Sequence, residues 1–82
     1  MKTITLFSTD GCHLCEQAIG MFYYGVQAGC YQSPVSLTIV DIISDDELTA
    51  LYGERIPVFK YQDRELGWPI ELAQLADWVN QN

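Results

Sequence analysis

The sequence has 82 residues, the size of one small domain, and 49% of them are hydrophobic, too many for a disordered chain. We therefore predict a single domain over residues 1–82 with a small core. Four basic and eleven acidic residues give a formal net charge of −7, which disfavours nucleic acid and anionic membranes as partners. No apolar run approaches the ~20 residues that span a bilayer, and no secretory signal is evident, so we expect a cytoplasmic monomer.

The first predicted elements are a strand and a helix. Residues 3–8 are β-branched and apolar, which predicts a strand that ends before Asp10 and Gly11. A helix is predicted from about Cys12, and Gly29 is a reasonable stop for it. Its apolar positions at helical spacing are Leu14, Ala18, Met21, Phe22 and Val26.

A second strand and a short helix follow. Apolar and polar residues alternate from Val35 onward, which predicts a strand that ends near residues 41–43. Ser44 and Glu47 have the spacing of a capping box, with Ser44 as the N-cap of a short helix. Gly53 is expected to end this helix.

The last third of the chain predicts a hairpin and a closing helix. Strands are expected around residues 57–61 and 64–68, joined through Gln62 and Asp63. Pro69 lies where a final helix could begin. The apolar face of that helix is formed by Leu72, Leu75, Ala76 and Val79. The order β-α-β-α-β-β-α fits an α/β fold, a mixed four-stranded sheet with helices on both faces.

Cys12 and Cys15 are the residues that point to chemistry. At a helix start, the i, i+3 spacing places both sulfurs on one face of the first turn, within reach of a disulfide. The unpaired N–H groups and the helix dipole favour an anion there, so a thiol pKa falls from about 8.5 to roughly 3.5–7.5 in such motifs. Cys12 is then the nucleophile of dithiol–disulfide exchange, and Cys15 is the resolving thiol.

Charged neighbours act on Cys12 in opposite directions. A protonated His13 would favour the Cys12 thiolate, whereas Asp10 and Glu16 would raise the pKa of the thiol. The sequence does not decide which effect is larger. It also leaves open that His13 is simply a solvent-facing side chain.

Two other functions stay open for the cysteine pair. C-x-x-C often supplies half of a zinc site, but the remaining candidates, Cys30 and His13, do not complete one. We therefore expect no metal site, although an iron–sulfur centre shared between chains, held through Cys12, stays open. The other alternative is a binding module that holds a partner peptide with little turnover.

The chain resembles the glutaredoxin branch of the thioredoxin superfamily. The resemblance covers the whole chain, and it looks closest to a group of short bacterial glutaredoxin-like proteins. It rests on the strand at residues 3–8, on Gly11-Cys12-His13-Leu14-Cys15 and on Arg55-Ile56-Pro57-Val58. It implies the thioredoxin fold and a thiol–disulfide oxidoreductase or electron carrier with a Cys12–Cys15 disulfide. The partners would be a disulfide-containing protein or small molecule and a cellular thiol reductant.

The same resemblance implies where a substrate binds. The Ile56–Pro57 bond is expected to be cis and to face the cysteines, and Ile56 would offer its N–H and C=O to a substrate strand. Arg55 is either a positive charge near the site or an ordinary solvated side chain. We include His13, Arg55, Ile56 and Pro57 as candidate substrate contacts.

Two segments depart from the glutaredoxin pattern. His13-Leu14 stands where glutaredoxins commonly have Pro-Tyr. Gly67-Trp68-Pro69 stands where those that use glutathione usually have a glycine pair that holds the tripeptide, and bulky Trp68 could fill that place. No cofactor is expected, and glutathione is disfavoured as the reductant without being eliminated.

Overall fold

A computed structural model describes residues 1–81, which form four strands, three α-helices and one 3₁₀ helix in the predicted order. The elements are β1 (Lys2–Ser8), α1 (His13–Gln27), β2 (Val35–Asp41), α2 (Asp46–Tyr52), β3 (Val58–Tyr61), β4 (Arg64–Gly67) and α3 (Leu72–Asn80). The 3₁₀ helix, Ile42–Ser44, separates β2 from α2.

The sheet has the strand order β2-β1-β3-β4. β1 runs parallel to β2, which requires the crossover that α1 supplies, and the pairs β1–β3 and β3–β4 are antiparallel. Ser8 pairs with Asp41 and Phe7 pairs with Val58. The carboxyl ends of β1 and β2 therefore meet the amino end of β3 at one edge of the sheet. The predicted mixed α/β architecture is confirmed.

The core lies on both faces of this sheet because successive side chains of β1 point to opposite sides. Ile4 and Leu6 pack with Phe22 of α1 and Leu75 of α3 in the larger cluster. On the other face, Phe7 belongs to a smaller cluster that contains Tyr52 of α2, with the two rings stacked at 4.3 Å between centroids. Each fully buried side chain of this size contributes about 1.5–3 kcal/mol.

The buried stripe of α1 differs from the predicted one. Leu14 and Val26 were expected on the apolar face, but they are 45% and 46% exposed. The buried residues are Cys15, Ala18, Phe22 and Gly25. Gly25 lies there because a Cβ at this position would be 2.6 Å from Oη of Tyr31. The end of the helix is as predicted, since Gly29 follows it at φ +71°.

The predicted capping box of α2 is wrong. Asp45, not Ser44, is the N-cap, and its Oδ1 accepts the N–H of Leu48 at 3.0 Å. Ser44 lies in the 3₁₀ helix, where its Oγ donates to the carbonyl of Asp41 at 3.1 Å. Glu47 is in the first turn of α2, where its carboxylate interacts favourably with the helix dipole. The extra turn after β2 therefore shifts the start of the helix by one residue.

The final helix begins at Leu72, later than Pro69 suggested. Its N-cap is Glu71, whose backbone N–H donates to Oε1 of Gln74 at 2.8 Å. The predicted apolar face is confirmed in part, since Leu75 and Val79 are buried, and Trp78 is buried with them. None of the helices within residues 1–81 combines the length and the apolarity needed to cross a membrane.

Candidate functional site

Cys12 and Cys15 form a disulfide at the junction of β1 and α1. Gly11, at φ +76°, makes the turn that leads from the strand to the helix, and Cys12 is the N-cap of α1. The two Cα atoms are 5.2 Å apart, within the usual range for disulfides. The predicted helix-start placement of the pair is thus present.

The two sulfurs differ in exposure. Cys15 is 1% exposed and belongs to the buried stripe of α1, whereas Cys12, at the N-terminus of the helix, is partly exposed. The backbone N–H of Cys15 donates to Sγ of Cys12 at 3.1 Å. An N–H directed at sulfur at a helix N-terminus stabilises negative charge on that sulfur. The geometry therefore supports a thiol redox pair in which an external group meets Cys12 first.

His13 and Glu16 lie beside the pair on the outside of α1. The His13 side chain is 92% exposed, and its Nδ1 is 3.8 Å from Oε2 of Glu16. This contact is an ion pair only when the imidazole is protonated. His13 is therefore accessible to an incoming molecule, and the Glu16 carboxylate offsets any positive charge that it carries.

The Ile56–Pro57 bond is cis, as the resemblance implies. Pro57 is buried and directly precedes Val58, which pairs with Phe7 near the end of β1. The strand register therefore brings the proline to the edge of the sheet from which the cysteine segment leaves. The Pro57 carbonyl accepts the N–H of Trp68 at 3.2 Å, which ties the proline to the end of β4.

The expected role of Ile56 needs a correction. Its N–H donates to the carbonyl of Tyr52 at 3.1 Å, and the N–H of Arg55 donates to the same carbonyl at 2.8 Å. This tight turn after α2 consumes the N–H that a substrate strand would need. Among residues 1–81, no backbone hydrogen bond ends on the Ile56 carbonyl, so that carbonyl is the group it can offer.

Arg55 is engaged by residues that sequence reasoning missed. Its Nη2 is 2.7 Å from Oε1 of Glu65 on β4, and Oη of Tyr52 donates to Oε2 of the same carboxylate at 2.5 Å. The hydrogen bonds from Tyr52 and then Arg55 lower the pKa of Glu65, while that carboxylate and burial raise the pKa of Tyr52. This network braces the turn that carries Pro57, and it joins residues of α2, of the turn after α2 and of β4 that no local sequence pattern brings together.

A cleft of about 210 Å³ opens beside the disulfide on the α1 side of the sheet, and both cysteines line it. Three carboxylates and two isoleucines also line it: Asp10, Glu16, Asp41, Ile19 and Ile39. Asp41 and Ile39 come from β2 and were not among the predicted site residues. The signal that could have found Asp41 was its position at the end of a strand parallel to β1, because such carboxyl ends meet at one edge.

Trp68 does not stand free in a groove. It is partly buried against the larger core cluster, and the Trp68–Pro69 bond is also cis. Cys30 lies apart from the cysteine pair, partly exposed, and its carbonyl accepts Nδ2 of Asn80 at 3.0 Å. Within the part of the chain that the structure describes, no three His, Cys, Asp or Glu side chains are grouped as a metal site.

Comparisons with solved structures agree with this fold. The structures of protein XcR50 from X. campestris are 34% identical in sequence to this chain. The X-ray structure matches with a TM-score of 0.76 over 96% of this chain and 97% of that chain. The solution structure matches with a TM-score of 0.75 over 100% and 96%.

A more distant neighbour supports the fold alone. Protein Ne2328 from Nitrosomonas europaea is 24% identical and superposes with a TM-score of 0.70 over 94% of this chain and 89% of that chain. The comparison with curated proteins gave no significant match. The model of the glutaredoxin-like domain (DUF836) matches residues 3–80, nearly the whole length. This chain, with its cysteine pair on a thioredoxin-like fold, belongs to the glutaredoxin-like domain family.

Proposed function

We propose that this protein is a thiol–disulfide oxidoreductase that moves two electrons through the Cys12–Cys15 pair. The observation that carries the proposal is the asymmetry of the pair: Cys12 is accessible and accepts an N–H at 3.1 Å, while Cys15 is 1% exposed directly behind it. A structural staple explains this poorly, because a disulfide that closes so short a loop constrains the unfolded chain little.

The reaction has two steps that balance. The Cys12 thiolate attacks one sulfur of the substrate disulfide, so that a mixed disulfide forms and the other sulfur leaves as a thiolate that takes up a proton. Cys15 then loses its proton and attacks Sγ of Cys12, which releases the second substrate thiol. The protein ends as the observed disulfide, and two equivalents of a thiol reductant restore the dithiol.

The segment around Pro57 is proposed as the second wall of the substrate site. The strand register supports this, since Pro57 lies beside the end of β1. The Ile56 carbonyl would accept one backbone N–H of a substrate, and the exposed His13 would contact it from the other side of Cys12. Arg55 enters the proposal as a residue that shapes this segment through its ion pair with Glu65.

Trapping the mixed disulfide tests the proposal. The Cys15→Ser variant removes the resolving thiol, so exposure of the reduced variant to 2-hydroxyethyl disulfide should leave a stable adduct on Cys12. The Cys12→Ser variant should form no such adduct. The control is the single variant Cys30→Ser, which keeps both Cys12 and Cys15 and should behave as the unmodified protein. Peptide mapping by mass spectrometry locates the adduct. An adduct on Cys30 alone, or equal reaction of the Cys12→Ser variant, would contradict the assigned roles.

The same variants separate exchange from simple binding. A non-catalytic module would retain partner proteins from a lysate equally well in the Cys12→Ser and Cys15→Ser forms. The exchange mechanism expects partners that are held only by Cys15→Ser and are released by dithiothreitol.

A further inference from the structure

We infer that the cleft beside the disulfide makes the protein select positively charged thiols and disulfides over negatively charged ones. This inference rests on the proposed exchange function and names the substrate class for the same site. The substrate class would be small cationic disulfides, or protein cysteines that are flanked by lysine or arginine.

The cleft is the space next to the reactive sulfurs. It lies between the first turns of α1 and the end of the edge strand β2, where Ile39 is 49% exposed. Its walls contain both Cys12 and Cys15, so a group that sits in it lies beside the disulfide. It is bounded by the end of β1, the first turns of α1 and the end of β2, where the strand register places Asp41 opposite Ser8.

The charges around the cleft are of one sign. Asp10, Glu16 and Asp41 line it from three different segments, the β1–α1 turn, α1 and β2. His13 lies beside one of them, with its Nδ1 3.8 Å from Oε2 of Glu16, and it carries positive charge only when protonated.

The basic side chains lie elsewhere. Arg55 is paired with Glu65. Lys2 lies at the opposite end of β1 from the cleft, and Lys60 and Arg64 lie on β3 and β4, away from β2. Within residues 1–81, none of the Lys or Arg side chains lines the cleft. A concave site with carboxylates and partly apolar walls concentrates cations and repels anions. The apolar wall, Ile19 and Ile39, accommodates the aliphatic part of a lysine or arginine side chain.

This charge pattern also bears on glutathione. The tripeptide carries a net negative charge at neutral pH, so the carboxylates would oppose its approach to Cys12. The same field would favour a cationic peptide at any ionic strength at which the Debye length, ~10 Å at 0.1 M salt, spans the cleft.

Three small disulfides of similar length test the selection on the unmodified reduced protein: cystamine (cationic), 2-hydroxyethyl disulfide (neutral) and 3,3′-dithiodipropionate (anionic). Oxidation of the Cys12–Cys15 pair is followed by quenching with iodoacetamide and counting alkylated cysteines by mass spectrometry. Each rate is divided by the rate of dithiothreitol with the same disulfide, because the leaving thiols differ in pKa. We expect the normalised rate for cystamine to exceed that for dithiodipropionate about tenfold at low salt, and the ratio to fall toward one near 1 M salt.

Charge-neutral variants assign the effect to the cleft. The Asp10→Asn/Glu16→Gln double variant should lower the normalised cation-to-anion ratio at least threefold. Any change that it causes in Cys12 reactivity alters all three rates alike and cancels in the ratio. The matched control is Asp63→Asn/Asp77→Asn, which removes the same charge from the β3–β4 turn and from α3. The control should keep the ratio of the unmodified protein.

The outcomes separate the two proposals. A ratio near one at low salt, a ratio below one, or an equal drop in both double variants would overturn the inference while leaving exchange intact. Failure of all three disulfides to oxidise the pair would instead overturn the proposed function on which the inference rests.

Discussion

The backbone N–H of Cys15 points at Sγ of Cys12 across 3.1 Å. The residue proposed as the resolving thiol therefore also supplies a hydrogen bond to the sulfur proposed as the nucleophile. Its own side chain is buried in the stripe of α1 that packs on the sheet, which holds that N–H in place. A single turn of helix thus provides the accessible sulfur, the group that stabilises its charge and the second sulfur.

Reduced Cys12 should alkylate as a thiolate at a lower pH than an ordinary thiol. We expect its iodoacetamide rate to be half-maximal below about pH 8.5, and its rate near neutral pH to exceed that of Cys30 at least tenfold. Stopped alkylation with peptide mapping over pH 4–10 measures both residues in the same sample. Equal profiles for Cys12 and Cys30 would argue against an activated thiolate.

Removing the Glu65 carboxylate should destabilise the fold in a pH-dependent way. Hydrogen bonds from Tyr52 and Arg55 lower the pKa of Glu65. The ionised carboxylate therefore adds to the free energy of unfolding above the pKa of the unfolded chain, about 4.3, and this contribution is lost as the pH falls through the pKa of the folded protein. We expect Glu65→Gln to cost about 0.5–1 kcal/mol near pH 7, roughly 2–8 °C in Tm, because solvent screens this partly exposed ion pair.

The Tm values below pH 6 are the decisive part of this test. The Tm difference between the unmodified protein and Glu65→Gln should shrink as the pH is lowered from 6 to 3, because both then carry a neutral group at this position. The Asp63→Asn variant serves as the control and should show no such convergence. A difference that stays constant with pH would contradict the assigned ionic network.

Replacing two glycines of α1 by alanine should change the stability of the fold in opposite directions. At Gly25 a Cβ would lie 2.6 Å from Oη and 2.7 Å from Cζ of Tyr31, whose ring packs against the core and whose hydroxyl donates to the Phe22 carbonyl. We expect Gly25→Ala to cost about 1–3 kcal/mol from overpacking. At Gly20 nothing lies within 4 Å, so Gly20→Ala should stabilise the helix by up to about 1 kcal/mol. Urea denaturation of both variants compares them, and stabilisation by Gly25→Ala would refute the close approach.

Tyr31, which packs against Gly25, should also dominate the loss of fold stability at alkaline pH. Burial, with a smaller effect of Cys30, raises the pKa of Tyr31 to about 12. The neutral phenol therefore adds its full contribution to the free energy of unfolding below pH ~10, the pKa of tyrosine in the unfolded chain. That contribution is lost as the pH rises toward 12. Ultraviolet titration should show a phenol that titrates near pH 12 and is lost in Tyr31→Phe, whereas the raised Tyr52 phenol remains in that variant. The variant should also lose less stability between pH 10 and 12. A titration unchanged by the substitution would assign the late phenol elsewhere.

The order of strands and helices was predictable because it depends on local periodicity. Alternation marked β2, and i, i+3, i+4 spacing marked the buried face of α3. The placement of Cys12 and Cys15 followed from the same local rules, since a turn and a helix start are encoded within a few residues. Errors arose where a local signal competed with packing: Ser44 has a capping residue's chemistry, but the 3₁₀ turn moved the cap to Asp45. Val26 has an apolar side chain, but the close approach of Tyr31 to α1 places its neighbour Gly25 in the buried stripe instead.

The surroundings of the cysteine pair were decided by the tertiary structure. Sequence alone placed the two cysteines at a helix start, with proposed attacking and resolving roles, together with a nearby His13 and a distant Pro57. It did not indicate that the turn after α2 uses the Ile56 N–H, that Glu65 holds Arg55, or that Asp41 lines the cleft beside the disulfide. These relationships join residues far apart in the chain, and their distances are set by strand register and helix packing, which no local pattern encodes.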